Sequence, residues 1–172
     1  MELVDLYNFK REKIGNTWPR KEPLPENTYR GTIHICIFNS NNQMMIQKRT
    51  ATKKVFPNLW DISIGGGVSA GDDIQKTATK ELFEELGIVH DFSNERPYLT
   101  VHFSHGFDDI FTFVQDIDLK TLTLQKTEVT DVKWATEEEI IQMIDNKEFI
   151  PYEKKYIPVL FTFVKRRGII NE

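Results

Sequence analysis

Three glutamates near the middle of the chain have the spacing of a metal site. Glu81, Glu84 and Glu85 occupy relative positions i, i+3 and i+4, so on a helix of roughly 3.6 residues per turn they share one face. A merely solvated face explains this poorly, because like charges four residues apart destabilise an isolated helix and only Glu84 has a partner, Lys80. A hard divalent cation removes the penalty, since Mg²⁺ binds carboxylate oxygens together with water and phosphate oxygens. The spacing therefore favours a metal site.

A glycine-rich loop and a helix must position these glutamates. Three glycines at positions 65–67 free the backbone for positive φ and for close approach to a ligand. The helix is predicted to begin at Asp72 or Asp73, and Gln75 would complete a capping arrangement if Asp72 were the N-cap. Gly87 is typical of the residue after a helix, so the glutamates lie in the last two turns.

Residues 66–88 resemble the Nudix box, G-x(5)-E-x(7)-R-E-U-x-E-E-x-G-U, in which U is a bulky aliphatic residue. The spacing is matched throughout. After the opening Gly66, the pattern falls on Asp72, Lys80, Glu81, Leu82, Glu84, Glu85, Gly87 and Ile88. Two identities differ, because Asp72 stands for the usual glutamate and Lys80 for the usual arginine. The length and regularity of the match make it a specific signal.

The resemblance implies a metal centre that binds Mg²⁺ or Mn²⁺. The implied ligands are the three glutamate carboxylates and a backbone carbonyl of the glycine loop: Glu81, Glu84 and Glu85, with Gly65 or Gly66. No cofactor beyond the cation is implied.

The resemblance also implies roles for a basic residue and a catalytic base. Lys80 takes the place of an arginine that pairs with the loop carboxylate and steadies the helix, although it lacks the planar fork of arginine. The base is implied at Glu84 or at Glu128, which opens a later strand, and both assignments stay open.

The implied activity is metal-dependent hydrolysis of the diphosphate linkage of a nucleoside diphosphate joined to another group. One alternative is a binding module that keeps the fold without the chemistry. A second is an isopentenyl-diphosphate isomerase, because residues 47–49 and 56–72 resemble that branch of the superfamily. Such an isomerase needs a cysteine shortly after the equivalent of Trp60 and a histidine close behind, and the chain has neither there. We therefore favour the hydrolase.

Two groups of side chains are candidates for contacting the substrate. Lys48 and Arg49 end a strand, where they are either solvated or bind phosphate oxygens. His105 at a loop edge is predicted to contact substrate. His34 lies in an apolar strand pattern and is expected to be a hydrogen-bonded core histidine, and Cys36 beside it a buried, inert thiol.

Composition and charge limit the class of protein. The 172 residues are 40% apolar, enough for one globular domain with a core. Lys and Arg number 22 against 26 Asp and Glu, a net charge of −4 that argues against a nucleic-acid binder. No apolar run approaches a membrane span, and the N-terminus lacks signal-peptide features. We expect a cytoplasmic protein that binds a small-molecule nucleoside diphosphate derivative, binds neither nucleic acid nor membrane, and is compatible with a homodimer.

The predicted fold class is α/β, a Nudix-type α/β/α sandwich with a mixed, curved sheet. We expect one domain over residues 1–172, with an N-terminal hairpin and linker over 1–28 and the box over 65–88. The other predicted elements are strands over 29–38, 43–49, 61–64, 98–104, 110–117 and 128–135, and helices over 136–145 and 158–167.

Overall fold

A mixed sheet between helices organises the chain, which a computed structural model describes over residues 2–165 and 170. These residues form nine strands, three α-helices and a short 3-10 turn. The elements are β1 (Leu3–Tyr7), β2 (Lys13–Pro19), β3 (Arg30–Phe38), β4 (Met44–Arg49), β5 (Trp60–Asp61), β6 (Ile64–Gly67), α1 (Ile74–Leu86), β7 (Leu99–Phe103), β8 (Gly106–Val114), the 3-10 turn (Leu119–Thr121), β9 (Val129–Ala135), α2 (Glu137–Asp145) and α3 (Tyr156–Lys165).

Strand β3 lies at the centre of the sheet. It pairs in parallel with β8 along its whole length and antiparallel with β6, which confirms the predicted mixed sheet. The predicted hairpin between β3 and β4 extends over a single pair, Phe38 with Met44. Beyond that pair β6 takes the edge of β3, and β4 turns away to pair with β5 and β9. The glycine-rich strand β6 is thereby placed against the central strand.

Both faces of β3 are buried, which confirms the layered architecture. Ile33, Ile35 and Ile37 pack on the side of α1, in a core that includes Leu82 and Phe111. The alternate residues of β3 point to the opposite face, as the strand period of two requires. There they join a second core with residues of α2 and α3: Cys36, Phe38, Ile140, Met143, Leu160 and Phe161.

The strands after the box differ from the predicted ones. β7 ends at Phe103 and β8 begins at Gly106, so residues 106–109, predicted as a loop, belong to a strand. Two consecutive aspartates of this stretch are each paired: Asp108 with His34 and Asp109 with Arg11. A buried carboxylate is tolerated in a strand when it has such a partner.

The terminal elements largely follow the predictions. β1 and β2 form the predicted N-terminal hairpin. Helix α2 begins with the predicted capping box between Thr136 and Glu139. Helix α3 starts at Tyr156, two residues before the predicted start, and residues 166–167 of the predicted helix lie outside the described residues. None of the helices in the described part of the chain is long and apolar enough to cross a membrane.

Candidate active site

Local capping determines where α1 begins and ends. Asp73 is the N-cap, and its carboxylate accepts a hydrogen bond from the Lys76 amide at 2.7 Å. The alternative with Asp72 as N-cap is therefore wrong. At the other end Gly87 adopts a left-handed conformation with φ of 71°, and its amide donates to the Phe83 carbonyl. A glycine accepts this conformation without strain, so the helix ends where the sequence predicted.

Asp72 is instead the anchor of an ion-pair cluster. Its carboxylate lies 2.6 Å from the Lys76 ammonium and 2.9 Å from that of Lys80, although the two lysines are about half exposed. Hydrogen bonds from Lys76 and Lys80 lower the pKa of Asp72. The pair of Asp72 with Lys80 is the contact that the family resemblance implied, and it ties the start of α1 to the turn that bears the glutamates.

The glycines at positions 65–67 form strand β6 rather than the predicted loop. None of them has a positive φ, so that part of the prediction is wrong. These glycines instead allow other side chains to approach the backbone closely. The carboxyl group of Glu81 packs directly on Gly66, the imidazole of His34 on Gly65, and the guanidinium of Arg20 on Gly67. A side chain at any of these positions would displace one of those groups.

The three box glutamates line one open cavity of about 520 Å³ together with Gly65 and Gly66. This volume is within the usual range of small-molecule sites, roughly 300–1,000 Å³. The glutamates differ in burial, since Glu84 is exposed, Glu81 half-buried and Glu85 only 5% exposed. Burial raises the pKa of Glu85 to about 7, with a further contribution from Glu81, and burial also raises the pKa of Glu81.

The residues present fit a hard divalent cation. The Oε2 atom of Glu85 is buried and has no hydrogen-bond partner among the described residues, a state that costs about 1–3 kcal/mol unless a ligand or water satisfies it. The neighbouring donors are carboxylate oxygens, which suit Mg²⁺ or Mn²⁺. In the part of the chain that the structure describes, no three Asp, Glu, His or Cys side chains already enclose a metal-sized space. The glutamate side chains would therefore have to turn toward one another around a cation.

Cationic side chains line the same cavity as the glutamates. Lys53 forms an ion pair with Glu128. Burial raises the pKa of Glu81, and the positive charge of Arg20 nearby offsets part of that rise. Burial of the Lys53 ammonium, together with Arg49 nearby, lowers its pKa. Glu128 was a predicted site residue, and the structure brings it to the box glutamates.

Lys53 was not predicted to belong to the site, and Arg20 was considered with Trp18 for a binding surface, with a packed hairpin as the default. The position of neither residue in the sequence indicates a binding site, because Lys53 lies in an irregular segment after β4 and Arg20 follows the N-terminal hairpin. The one available signal was their positive charge. Their position at the glutamates depends on contacts between segments distant in sequence.

The predicted substrate residues Lys48, Arg49 and His105 are not among the residues that line this cavity. Arg49 donates to the carbonyls of Val55 and Phe56 at 3.1 and 3.2 Å and to the Asp61 carboxylate at 3.2 Å. It therefore holds the segment that carries Lys53.

Lys48 and His105 lie elsewhere on the sheet. The Lys48 ammonium lies 5.9 Å from the ring centroid of Trp60. His105 is in the turn between β7 and β8, and its carbonyl accepts a hydrogen bond from the Arg30 amide. The structure thus does not bring these two side chains together with the glutamates.

His34 and Cys36 have the structural roles predicted for them. The Nδ1 atom of His34 pairs with Asp108, and the Asp108 carboxylate also accepts a hydrogen bond from the Thr32 hydroxyl at 3.2 Å. Burial lowers the pKa of His34, but the Asp108 carboxylate outweighs it, so the pKa is raised. Cys36 is fully buried, and burial raises the pKa of its thiol. A thiol in this state is unreactive.

The chain is similar to proteins of one family over most of its length. The NUDIX domain family matches residues 28–159. A Nudix hydrolase of Listeria monocytogenes serovar 1/2a is 43% identical over 152 residues, covering 88% of this chain and 90% of that protein. A Nudix hydrolase of Pseudomonas aeruginosa is 32% identical over 130 residues, covering 71% of each chain. The crystal structure of DR0079 from Deinococcus radiodurans, 23% identical, has a TM-score of 0.75 and covers 92% of this chain and 97% of its own.

Proposed function

The chain belongs to the Nudix hydrolase family, which cleaves pyrophosphate bonds, and from this premise we propose that it hydrolyses a nucleoside diphosphate joined to another group. The proposed cofactor is Mg²⁺ or Mn²⁺, held by Glu81, Glu84 and Glu85 with a carbonyl of Gly65 or Gly66. The observation that carries the proposal is the shared cavity, in which carboxylates and cationic side chains line the same space.

The charges of the cavity suit a diphosphate. A cation bound at the glutamates would neutralise phosphate charge and favour deprotonation of an attacking water. Arg20 and Lys53 line the same cavity as the glutamates, so they can donate hydrogen bonds to the oxygens of a phosphate bound there. Arg20 presents a planar fork that matches the geometry of a phosphate, whereas Lys53 supplies a point charge. Together these side chains would hold the diphosphate beside the carboxylates.

The base that accepts a proton from the attacking water is proposed to be Glu84 or Glu128. Glu84 is exposed, lines the cavity and forms no ion pair with any other described residue. Glu128 is half-buried and paired with Lys53, so it becomes available when a phosphate takes over the lysine. Separate Glu84→Gln and Glu128→Gln variants distinguish the two assignments.

Phosphate release tests the proposed activity. Wild type, Glu84→Gln and Glu128→Gln are incubated with nucleoside diphosphate derivatives and nucleoside triphosphates, with Mg²⁺ or Mn²⁺ and a coupling phosphatase. Loss of the base is expected to lower kcat by about 10²–10⁴-fold. Glu138→Gln is the matched control, since Glu138 is exposed on α2 and does not line the cavity. Turnover that is independent of the metal, or unchanged in both cavity variants, would contradict the proposal.

The isomerase alternative gains no support from the structure. Its reaction needs a positioned proton donor at the glutamate cavity. Cys36 is fully buried in the core beside α2 and α3 and does not line that cavity. The residue next to Gly66 in the glycine strand is another glycine, without a donor side chain.

We propose a cytoplasmic location, supported by a cysteine that is buried and reduced. We also propose a homodimer, which sedimentation velocity tests by measuring the mass in solution. Cell fractionation tests the location.

A further inference from the structure

Gln47 is a buried polar residue that the proposed function does not use. It is 3% exposed and lies in the interior of β4, paired with Asp61 of β5 on one side and Val132 of β9 on the other. Met45, two residues earlier on the strand, packs in the core beneath α1. Because side chains two apart on a strand share a face, Gln47 also projects toward α1.

On that face the Gln47 side chain meets Glu85. Its side chain lies close enough to the Glu85 carboxylate to act as a hydrogen-bond donor, which offsets part of the rise that burial causes in the pKa of Glu85. Two acceptor atoms of this pair remain without a partner among the described residues, Oε1 of Gln47 and Oε2 of Glu85. Both residues are at least nine-tenths buried, so water does not freely satisfy these oxygens. Buried acceptor atoms normally have a partner, so two unpaired acceptors in one buried place indicate a site for a positively charged ligand.

We propose that Gln47 is a positioning residue for the metal ligand Glu85: its amide holds one carboxylate oxygen and leaves the other free for a divalent cation. The inference rests on the proposed function, because it assumes that Glu85 binds the cation. It makes strand β4, which lies outside the Nudix box, a part of the metal site. Residues that orient a metal ligand in this way typically affect affinity by about 10–100-fold.

The alternative is that Gln47 only fills space in the core. Gln47→Met separates the two roles, because methionine has nearly the same length and volume but cannot donate a hydrogen bond. A space-filling residue replaced in this way would leave the affinity for metal unchanged. A positioning residue would lose affinity even where the metal-free variant melts at the wild-type temperature.

The test is isothermal titration of the metal-free full-length chain with Mn²⁺, for wild type, Gln47→Met, Glu85→Gln and the double variant. We expect Gln47→Met to raise the Kd for Mn²⁺ by about 10-fold or more. In the Glu85→Gln background the same change should have little further effect, since its target carboxylate is gone. Gln142→Met, on the exposed face of α2, is the matched control and should leave the Kd unchanged.

The outcomes separate this inference from the proposed function. An unchanged Kd in Gln47→Met, or an equal loss in both backgrounds, overturns the positioning role while leaving the hydrolase proposal intact. Absence of Mn²⁺ binding by wild type overturns both. Because melting of each metal-free variant is followed in parallel, a loss of affinity that merely reflects unfolding is recognised and counts against the inference.

Discussion

The carboxyl carbon of Glu81 lies 2.8 Å from the point that a Cβ atom on Gly66 would occupy. This distance is shorter than a normal van der Waals contact, so a larger residue at position 66 must push the carboxylate away. The close fit between the glycine strand and the helix that bears the glutamates therefore depends on this one position. Glycine at this position serves the site rather than the backbone conformation.

Gly66→Ala is expected to weaken metal binding with little loss of stability, because the group it displaces is the end of a flexible side chain. We expect a Kd for Mn²⁺ raised by about 10-fold. Gly106→Ala is the contrasting variant, since its Cβ would overlap the backbone carbonyl of Arg30 and destabilise the sheet. Titration calorimetry and thermal melting distinguish the two effects. Normal metal affinity in Gly66→Ala would contradict the assignment of Glu81.

Lys53→Met is expected to raise KM, whereas Arg49→Met is expected to lower the free energy of unfolding. Lys53 faces the cavity, so its loss should raise KM about 10-fold, the equivalent of one charge-assisted hydrogen bond. Arg49 holds two backbone carbonyls and the buried Asp61, so its loss should lower the free energy of unfolding by about 2 kcal/mol. Steady-state kinetics and urea denaturation give the two readouts. The reverse pattern would restore the original prediction that Arg49 binds phosphate.

Arg20→Gln is expected to raise KM by about 10-fold with kcat nearly unchanged, because it removes a donor to the substrate phosphates. Arg20 lies outside the region matched by the family, residues 28–159. Lys10→Gln, an exposed position near the same hairpin, makes the same change in net charge and is the control. If both variants raise KM equally, long-range charge rather than contact explains the effect.

Asp72→Asn is expected to reduce stability in a pH-dependent way. Pairing with Lys76 and Lys80 lowers the pKa of Asp72, so the folded protein binds this proton less readily than the unfolded chain. The stabilisation is therefore present above the unfolded pKa and is lost as the pH falls through the folded pKa. Solvent screens the half-exposed lysines, so the cost near neutral pH should be about 1 kcal/mol.

Urea denaturation of wild type and Asp72→Asn, from about pH 7 to about pH 3, measures this difference. The two curves of unfolding free energy should converge toward acid pH. Asp145→Asn, which removes an exposed pair with Lys154, should show a much smaller gap throughout. A gap for Asp72→Asn that is constant with pH would show that charge pairing is not its cause.

Local sequence was enough to predict the helix that bears the glutamates. The capping residues, the i, i+3 and i+4 spacing and the final Gly87 all act within a few residues of one another, and α1 ends where they predicted. The layered fold could also be predicted from the sequence, because β3 is apolar on both faces and both faces must be buried by other elements.

Sequence-local reasoning failed where a residue's role depends on distant contacts. The glycines of β6 were predicted as a loop, but pairing with β3 extends them, and their small size matters because Glu81, His34 and Arg20 pack on them. Residues 106–109 of β8 were also predicted as a loop, and the partners of Asp108 and Asp109 in this stretch are far away in sequence.

The spacing of Glu81, Glu84 and Glu85 is enough to place three carboxylates on one helix face beside a glycine segment, because helical spacing is a local property. Which other groups line their cavity follows only from the folded structure. Lys53 and Arg20 line the cavity of the glutamates, Arg49 does not, and Gln47 of β4 lies beside Glu85 of α1. The physical reason is that strand pairing and packing bring together segments that are distant in sequence. Nothing in the spacing of their residues along the chain indicates that these side chains will meet.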